Sequence, residues 1–104
     1  MVSPGRGEVW LVDLGYAAKI RPCLVISIPA LDEDRALATL VPHTTSSRNS
    51  RFEISCNVRF LREGVFDSQN LITVPHAKLI RKPGTLSTEQ LSAVEDGVRF
   101  WLDL

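Results

Sequence analysis

The chain is poor in the residues that build specialised scaffolds. Among its 104 residues there are two cysteines, Cys23 and Cys56. Two thiols make neither a disulfide framework nor a zinc site. Each lies in an apolar or alternating, strand-like stretch, so both are read as free thiols of a reducing compartment. Long hydrophobic runs are missing too: the longest are strand-sized, far short of the roughly 18–20 residues of a membrane-spanning helix. No charged-then-apolar leader opens the chain, and the expectation is a cytoplasmic protein with no membrane partner. Charge of one sign is not in excess, since twelve Lys and Arg balance twelve Asp and Glu. Long-range attraction to a polyanion is therefore not the organising force. Recognisable catalytic signatures are lacking as well. There is no Gly-x-x-x-x-Gly-Lys phosphate loop, no Gly-x-Ser-x-Gly elbow, and no His, Cys and Asp set at metal-ligand spacing. The acidic triplet Asp32-Glu33-Asp34 reads as a solvated turn, and neither a metal nor any other cofactor is expected.

What is present is an ordinary globular composition, 44% apolar and 23% charged. The length fits one domain spanning 1–104, with a modest core that dimerisation would enlarge. Residues 8–14 alternate and are rich in Val, Trp and Leu, which predicts a strand. A loop follows over 15–19. Residues 22–28 form a nearly continuous apolar run, the pattern of a strand buried on both faces, with Pro22 at its start where no ladder donor is lost. Residues 36–41 predict a further strand closed by Pro42, and 43–50 a polar loop. Strands are expected over 52–58 and 70–74, and a short one over 77–80, with a turn at Pro83-Gly84. The helix comes last. Ser87 and Gln90 form a capping box, with Leu86 and Leu91 placed as a hydrophobic staple. Leu91, Val94, Val98, Trp101 and Leu102 then fall on one face. Five or six short strands followed by one amphipathic helix predict a mainly β fold: a small, strongly bent barrel covered on one side by the C-terminal α-helix.

Although net charge is zero, it is unevenly distributed. Basic residues cluster over 19–21, 48–51 and 78–82, while the helix carries Glu89, Glu95, Asp96 and Asp103 against Arg99. A local basic groove is compatible with this pattern.

Four segments resemble one family, in order and across almost the whole chain. Arg6-Gly7-Glu8-Val9-Trp10-Leu11-Val12-Asp13-Leu14 resembles the opening strand of the MazF/PemK toxins. Arg21-Pro22-Cys23-Leu24-Val25-Ile26-Ser27 is similar to their Arg-Pro strand, and Val41-Pro42-His43-Thr44-Thr45-Ser46 to their Pro-x-Thr-Ser turn. Asp67-Ser68-Gln69-Asn70-Leu71-Ile72 resembles the stretch before their last strands. The resemblance implies an SH3-like, CcdB/MazF-type twisted barrel and the toxin of a type II toxin–antitoxin module. The implied activity is metal-independent, sequence-specific cleavage of single-stranded RNA. The ribose 2′-hydroxyl attacks the adjacent phosphate, leaving a 2′,3′-cyclic phosphate and a 5′-hydroxyl. The implied partners are the RNA substrate, a cognate antitoxin and a second copy of the chain in a homodimer.

The same match carries residues over. Arg21 is the candidate catalytic cation, because a guanidinium is always charged and presents a fork of donors to phosphate oxygens. Thr44 is the second catalytic candidate, its hydroxyl being suited to hold the scissile phosphate; the same residue also suits a plain turn cap. His43, His76 and Asp67 are candidates for proton transfer. Imidazole titrates near neutral pH, but alternation directs His43 to the face opposite Thr44. Some family members carry a carboxylate where Pro75 stands here, and His76 or Asp67 would have to substitute. Lys19, Thr45, Ser46, Arg48 and Lys78 are candidate RNA contacts. The loop over 15–20 is shorter than in many members. A different class of function stays open: a CcdB-like toxin that binds gyrase without catalysis, or a relative retaining binding alone. The terminal Trp101 would be its anchor, although Trp101 also continues the core stripe of the helix.

Overall fold

The computed structural model describes residues 3–15 and 20–104. Of the loop expected over 15–19, only Gly15 falls among them. Seven strands and a helix follow one another: β1 (Glu8–Asp13), β2 (Ile20–Val25), β3 (Leu37–Thr44), β4 (Glu53–Ser55), β5 (Val65–Asp67), β6 (Ile72–Pro75), β7 (Leu79–Thr85) and α1 (Thr88–Leu102), with a 3-10 turn at His76–Lys78 between β6 and β7. All pairings are antiparallel, in the order β4-β5-β3-β2-β1-β7, with β6 joined to β3.

The apolar run of β2 is buried on both faces, as its pattern predicts. Leu24 joins a core of Val9, Val41, Phe66, Leu86, Val94 and Val98 beneath α1. Its neighbours Cys23 and Val25 point the other way, into a second core with Val12, Ala38, Leu40 and Val74. Period-two alternation sorts β1 similarly, Val9 into the first core and Val12 into the second. The two cysteines are free; Cys23 is buried and Cys56 half-buried. Burial pushes the Cys23 thiol up to about 12 and raises that of Cys56, so neither is a reactive thiolate at neutral pH.

Two proline positions depart from expectation. Pro42 does not end its strand: β3 continues to Thr44. Pro42 is the last residue to pair with β2, opposite Cys23. His43 and Thr44 then pair with β5, opposite Phe66 and Val65. A residue without an N–H suits such a change of partner. Pro83-Gly84 is likewise no turn but part of β7. Pairing jumps there from Val9–Gly84 to Leu11–Arg81, leaving an extra β7 residue in a bulge. Strand β5 goes unread in the sequence because its three residues are too few to display alternation.

The helix begins as predicted. The Gln90 backbone N–H donates to Ser87 Oγ at 3.1 Å, and the Ser87 N–H donates to Gln90 Oε1 at 3.0 Å. Val94, Gly97 and Val98 are its buried residues. Gly97 is required by close packing: a Cβ there would lie 2.5 Å from Ser68 Oγ and 2.9 Å from Ile54 Cδ1. Trp101 does not continue the core stripe. It is 40% exposed and meets the buried Phe52 edge-on, at 5.2 Å between ring centroids. By its last turn the helix has passed the core and covers only the residues leading into β4. No helix among the described residues is long and apolar enough to cross a membrane.

Candidate active site

The start of β2, the end of β3 and the end of β5 converge on one cleft of about 350 Å³, lined by Arg21, His43, Thr44, Ser46, Arg48 and Asp67 among others. Six sequence-nominated residues are thus brought together. Arg21 sits opposite Val12 of β1 and is followed by Pro22 and the buried Cys23–Val25. Its backbone is held by β1 and by the buried residues that follow it, and its side chain lines the cleft. Among the described residues Arg21 forms no ion pair, which leaves its fork of donors available to an anion.

His43 is buried and packs edge-on against Phe66, with ring centroids 5.0 Å apart. Burial lowers its pKa below the ordinary histidine value, so at neutral pH the imidazole is uncharged, with one nitrogen able to accept a proton. Alternation does separate His43 from Thr44, which is half-buried. Both nevertheless line the cleft, which wraps around the end of the strand. Thr44 Oγ1 accepts the Ser46 N–H at 3.1 Å. The turn-capping role is therefore present, and the hydroxyl proton remains free to donate elsewhere. Asp67 Oδ1 accepts the Gln69 N–H at 3.2 Å, leaving its other oxygen for a second partner.

Other nominated residues fall elsewhere. Lys19 lies outside the described residues. Thr45 belongs to a second, adjoining cleft that shares Arg21 and His43 with the first. His76 is not in either cleft. It is buried on the 3-10 turn, with Nε2 3.2 Å from the Leu37 carbonyl oxygen. Because β6 pairs with the opening half of β3, Leu37 to Leu40, His76 sits at the far end of that strand from Thr44, roughly 20 Å away along an extended chain. Within one chain it therefore lies apart from the cleft that Arg21 lines. The exposed Lys78 shares the turn and lines neither cleft.

Sequence reasoning missed two residues that shape the site. The Glu53 carboxylate gathers the loop after β3: it accepts the Arg48 N–H at 3.0 Å, the Ser50 N–H at 3.0 Å and the Ser47 hydroxyl at 2.9 Å. These donors, led by the backbone N–H of Arg48, hold its pKa below the usual carboxylate range. The loop is thereby fixed with Arg48 beside the cleft. A carboxylate a few residues beyond a Ser-rich loop was the available signal. Gly64 is the second. A Cβ there would stand 2.3 Å from the Thr44 carbonyl oxygen and 2.8 Å from His43 Cε1, so only glycine lets β5 approach the end of β3 this closely. No motif marks it.

No group of three or more His, Cys, Asp and Glu placed to hold a metal occurs among the described residues. What the cleft offers is the guanidiniums of Arg21 and Arg48, a hydroxyl donor, an uncharged imidazole and the carboxylates of Asp67 and Glu53. Fold and site together define a small β-barrel protein with arginine, hydroxyl, imidazole and carboxylate side chains around one cleft. The sequence model of the PemK-like, MazF-like toxins of type II toxin–antitoxin systems matches residues 5–102. The chain belongs to this family. Solved structures agree in fold. An endoribonuclease from a mycobacterial species, in complex with its cognate antitoxin, is 24% identical, with a TM-score of 0.84 over 98% of this chain and 97% of that one. The Mycobacterium tuberculosis toxin MazF-mt6 is 25% identical, with a TM-score of 0.79 over 93% and 97%. The MazE–MazF structure from Deinococcus radiodurans is 17% identical, with a TM-score of 0.81 over 98% and 97%. These relationships favour a MazF-type toxin over the CcdB-like alternative.

Proposed function

We propose that this chain is a toxin endoribonuclease that cuts single-stranded RNA by attack of a ribose 2′-hydroxyl on its own 3′-phosphate. The observation that carries the reading is the meeting of Arg21, Thr44, His43 and Asp67 around one cleft on the family's scaffold. Transesterification of this kind needs no external nucleophile. It needs charge neutralised on the phosphorane-like transition state, and two proton transfers. Arg21 supplies the charge, and a preorganised donor of this type is worth about 3–4 kcal/mol. Thr44 holds a phosphate oxygen through its free hydroxyl proton. His43 and Asp67 are the proton-transfer pair within reach of the cleft. Uncharged His43 suits the base that takes the 2′-hydroxyl proton, and the departing 5′-oxygen takes a proton from water at the open cleft, the hydroxide so formed being neutralised by the proton that His43 gives up. The cleft supplies both charge and proton transfer from side chains, so no divalent metal is assigned to the reaction.

In this reading the protein works in the cytoplasm as a homodimer and is held inactive by an antitoxin. The mycobacterial and Deinococcus neighbours in complex with antitoxin support that pairing. The test is incubation of the purified protein with mixed RNA in EDTA, with the new ends mapped. The expected products carry 2′,3′-cyclic phosphate and 5′-hydroxyl ends at a preferred sequence. Intact RNA, or 5′-phosphate ends, would overturn the assignment.

A further inference from the structure

The second cleft, of about 470 Å³, opens directly from the first across Arg21 and His43. Its charge is one-sided. Arg21, Arg62 and Arg81 line it, and among the described residues no carboxylate does, although acids and bases balance over the whole chain. The same cleft is lined by an aromatic ring, Phe60, which is 36% exposed. With Ile20, 55% exposed in the same cleft, it leaves a patch of apolar surface in water beside the cations.

The ring is held in place from behind. Phe60 lies in the connection between β4 and β5, and its ring rests against Gly84 of β7. A Cβ at Gly84 would come within 2.5 to 2.8 Å of three ring carbons. Pro83, beside that glycine, also lines the cleft and lies in the bulge of β7, which begins just before the paired Gly84. The glycine therefore acts as a seat: it lets one side of the ring dock on backbone while the rest faces the cleft. Little rotamer freedom remains to be lost when a flat partner arrives.

We infer that Phe60 is a stacking platform for one nucleobase of the RNA, next to the phosphate held by Arg21, and that Arg62 and Arg81 neutralise the backbone on either side of that base. This rests on the endoribonuclease reading and extends it to a base subsite. A planar aromatic ring between cations is the combination that single-stranded nucleic acids select. Base-on-ring stacking is tolerant of sequence, and arginines track the phosphates. An acidic peptide would satisfy the arginines but leave the ring without a flat partner.

The full-length protein is tested with a fluorescent single-stranded oligonucleotide made uncleavable by 2′-O-methyl groups, and with its cleavable RNA counterpart. Phe60→Ala should weaken binding by roughly 5- to 100-fold, the range of a lost stacked base, while Phe60→Tyr should retain it. Phe60→Leu keeps apolar cover over Gly84 but has no π face, so it should melt like the wild type and bind like Phe60→Ala. Abasic substitutions are then walked along the oligonucleotide. One position should cost the wild type as much as Phe60→Ala does, and cost Phe60→Ala nothing further. Arg62→Gln and Arg81→Gln should each flatten the dependence of log affinity on log salt by about 0.7. If the wild type cleaves RNA but Phe60→Leu binds as tightly as wild type, or abasic losses in Phe60→Ala match those of wild type at every position, the platform is refuted and the nuclease reading stands. If an acidic peptide displaces the oligonucleotide while binding Phe60→Leu as well as wild type, and the wild type cuts no RNA, both fall.

Discussion

Gly64→Ala offers a demanding test of the site because its consequence can be worked from distances. The added methyl carbon would lie 2.3 Å from the Thr44 carbonyl oxygen and 2.8 Å from His43 Cε1, against ordinary contact beginning at 3.4 Å. One side must retreat by about 1 Å, and neither is a flexible side-chain tip free to give way. If β3 yields, Thr44 and His43 move. If β5 yields, the Thr44–Val65 pair is stretched and Asp67 moves instead. Either way two groups assigned to the reaction lose their relation to Arg21. Overpacking of this kind costs about 1–3 kcal/mol, which a domain of ordinary stability survives. Displacement by about 1 Å costs on the order of 100-fold in rate. The expected result is a folded protein with a slightly lowered melting temperature, near-normal affinity for uncleavable RNA, and kcat lower by about two orders of magnitude. Gly5→Ala is the control, since its Cβ would meet only Glu8 side-chain atoms at ordinary contact distance, 3.4 Å and beyond. Single-turnover cleavage at saturating enzyme, run well below the melting temperature, separates rate from binding. A folded Gly64→Ala protein that cleaves at the wild-type rate would refute the placement of Thr44 and His43 at the reacting atoms.

Arg21→Ala should reduce cleavage by roughly 100-fold or more while shifting stability by no more than about 0.5 kcal/mol, as calorimetry would show, because no ion pair is lost; a large loss of stability with activity retained would make Arg21 structural. His43 gives a pH dependence of stability. Its folded pKa lies below the ordinary value of 6.5, so below that pH the unfolded chain binds the proton more readily than the folded one. Stability should be fully present above 6.5 and fall as pH drops from there through the lowered folded value; urea midpoints of wild type and His43→Phe compared across this window should diverge, and parallel curves would deny His43 its buried, uncharged state. Trp101→Ala should cost about 1 kcal/mol, the worth of an aromatic pair, rather than the 3–5 kcal/mol of a core aromatic, because Trp101 is 40% exposed; a loss of the larger size in urea unfolding would restore it to the core.

Local pattern made some elements readable and left others hidden, for physical reasons. The apolar run at Cys23–Val25 predicts a strand buried on both faces, and it divides between two cores. Ser87 and Gln90 predict the helix start, and their reciprocal hydrogen bonds are present. Such signals depend on residues within one turn or one strand of each other. The prolines misled because their effect depends on the partner strand. Pro42 stands where β3 exchanges β2 for β5, and Pro83 stands in a bulge opposite β1. From the sequence alone each looks like an end.

The site divides along the same line. Arg21, Thr44 and Asp67 were nominated by resemblance, and the barrel brings them to one cleft because β3 changes partner just where His43 and Thr44 lie. His76, a candidate by the same reasoning, lies outside that cleft, since β6 takes the other half of the same strand. Neighbourhood in the motif did not separate Asp67 from His76; register did. Gly64, Glu53 and Phe60 act through contacts with Thr44, Arg48 and Gly84 respectively. Gly64 and Phe60 carry no reactive group and lie some twenty positions from their partners in the chain. The residues that do chemistry are conspicuous by type, whereas those that set distances are conspicuous only once the strands are paired. A substitution such as Gly64→Ala, which removes no chemical group, is for that reason a sharper probe of the assembled site than the loss of any one of its reactive side chains.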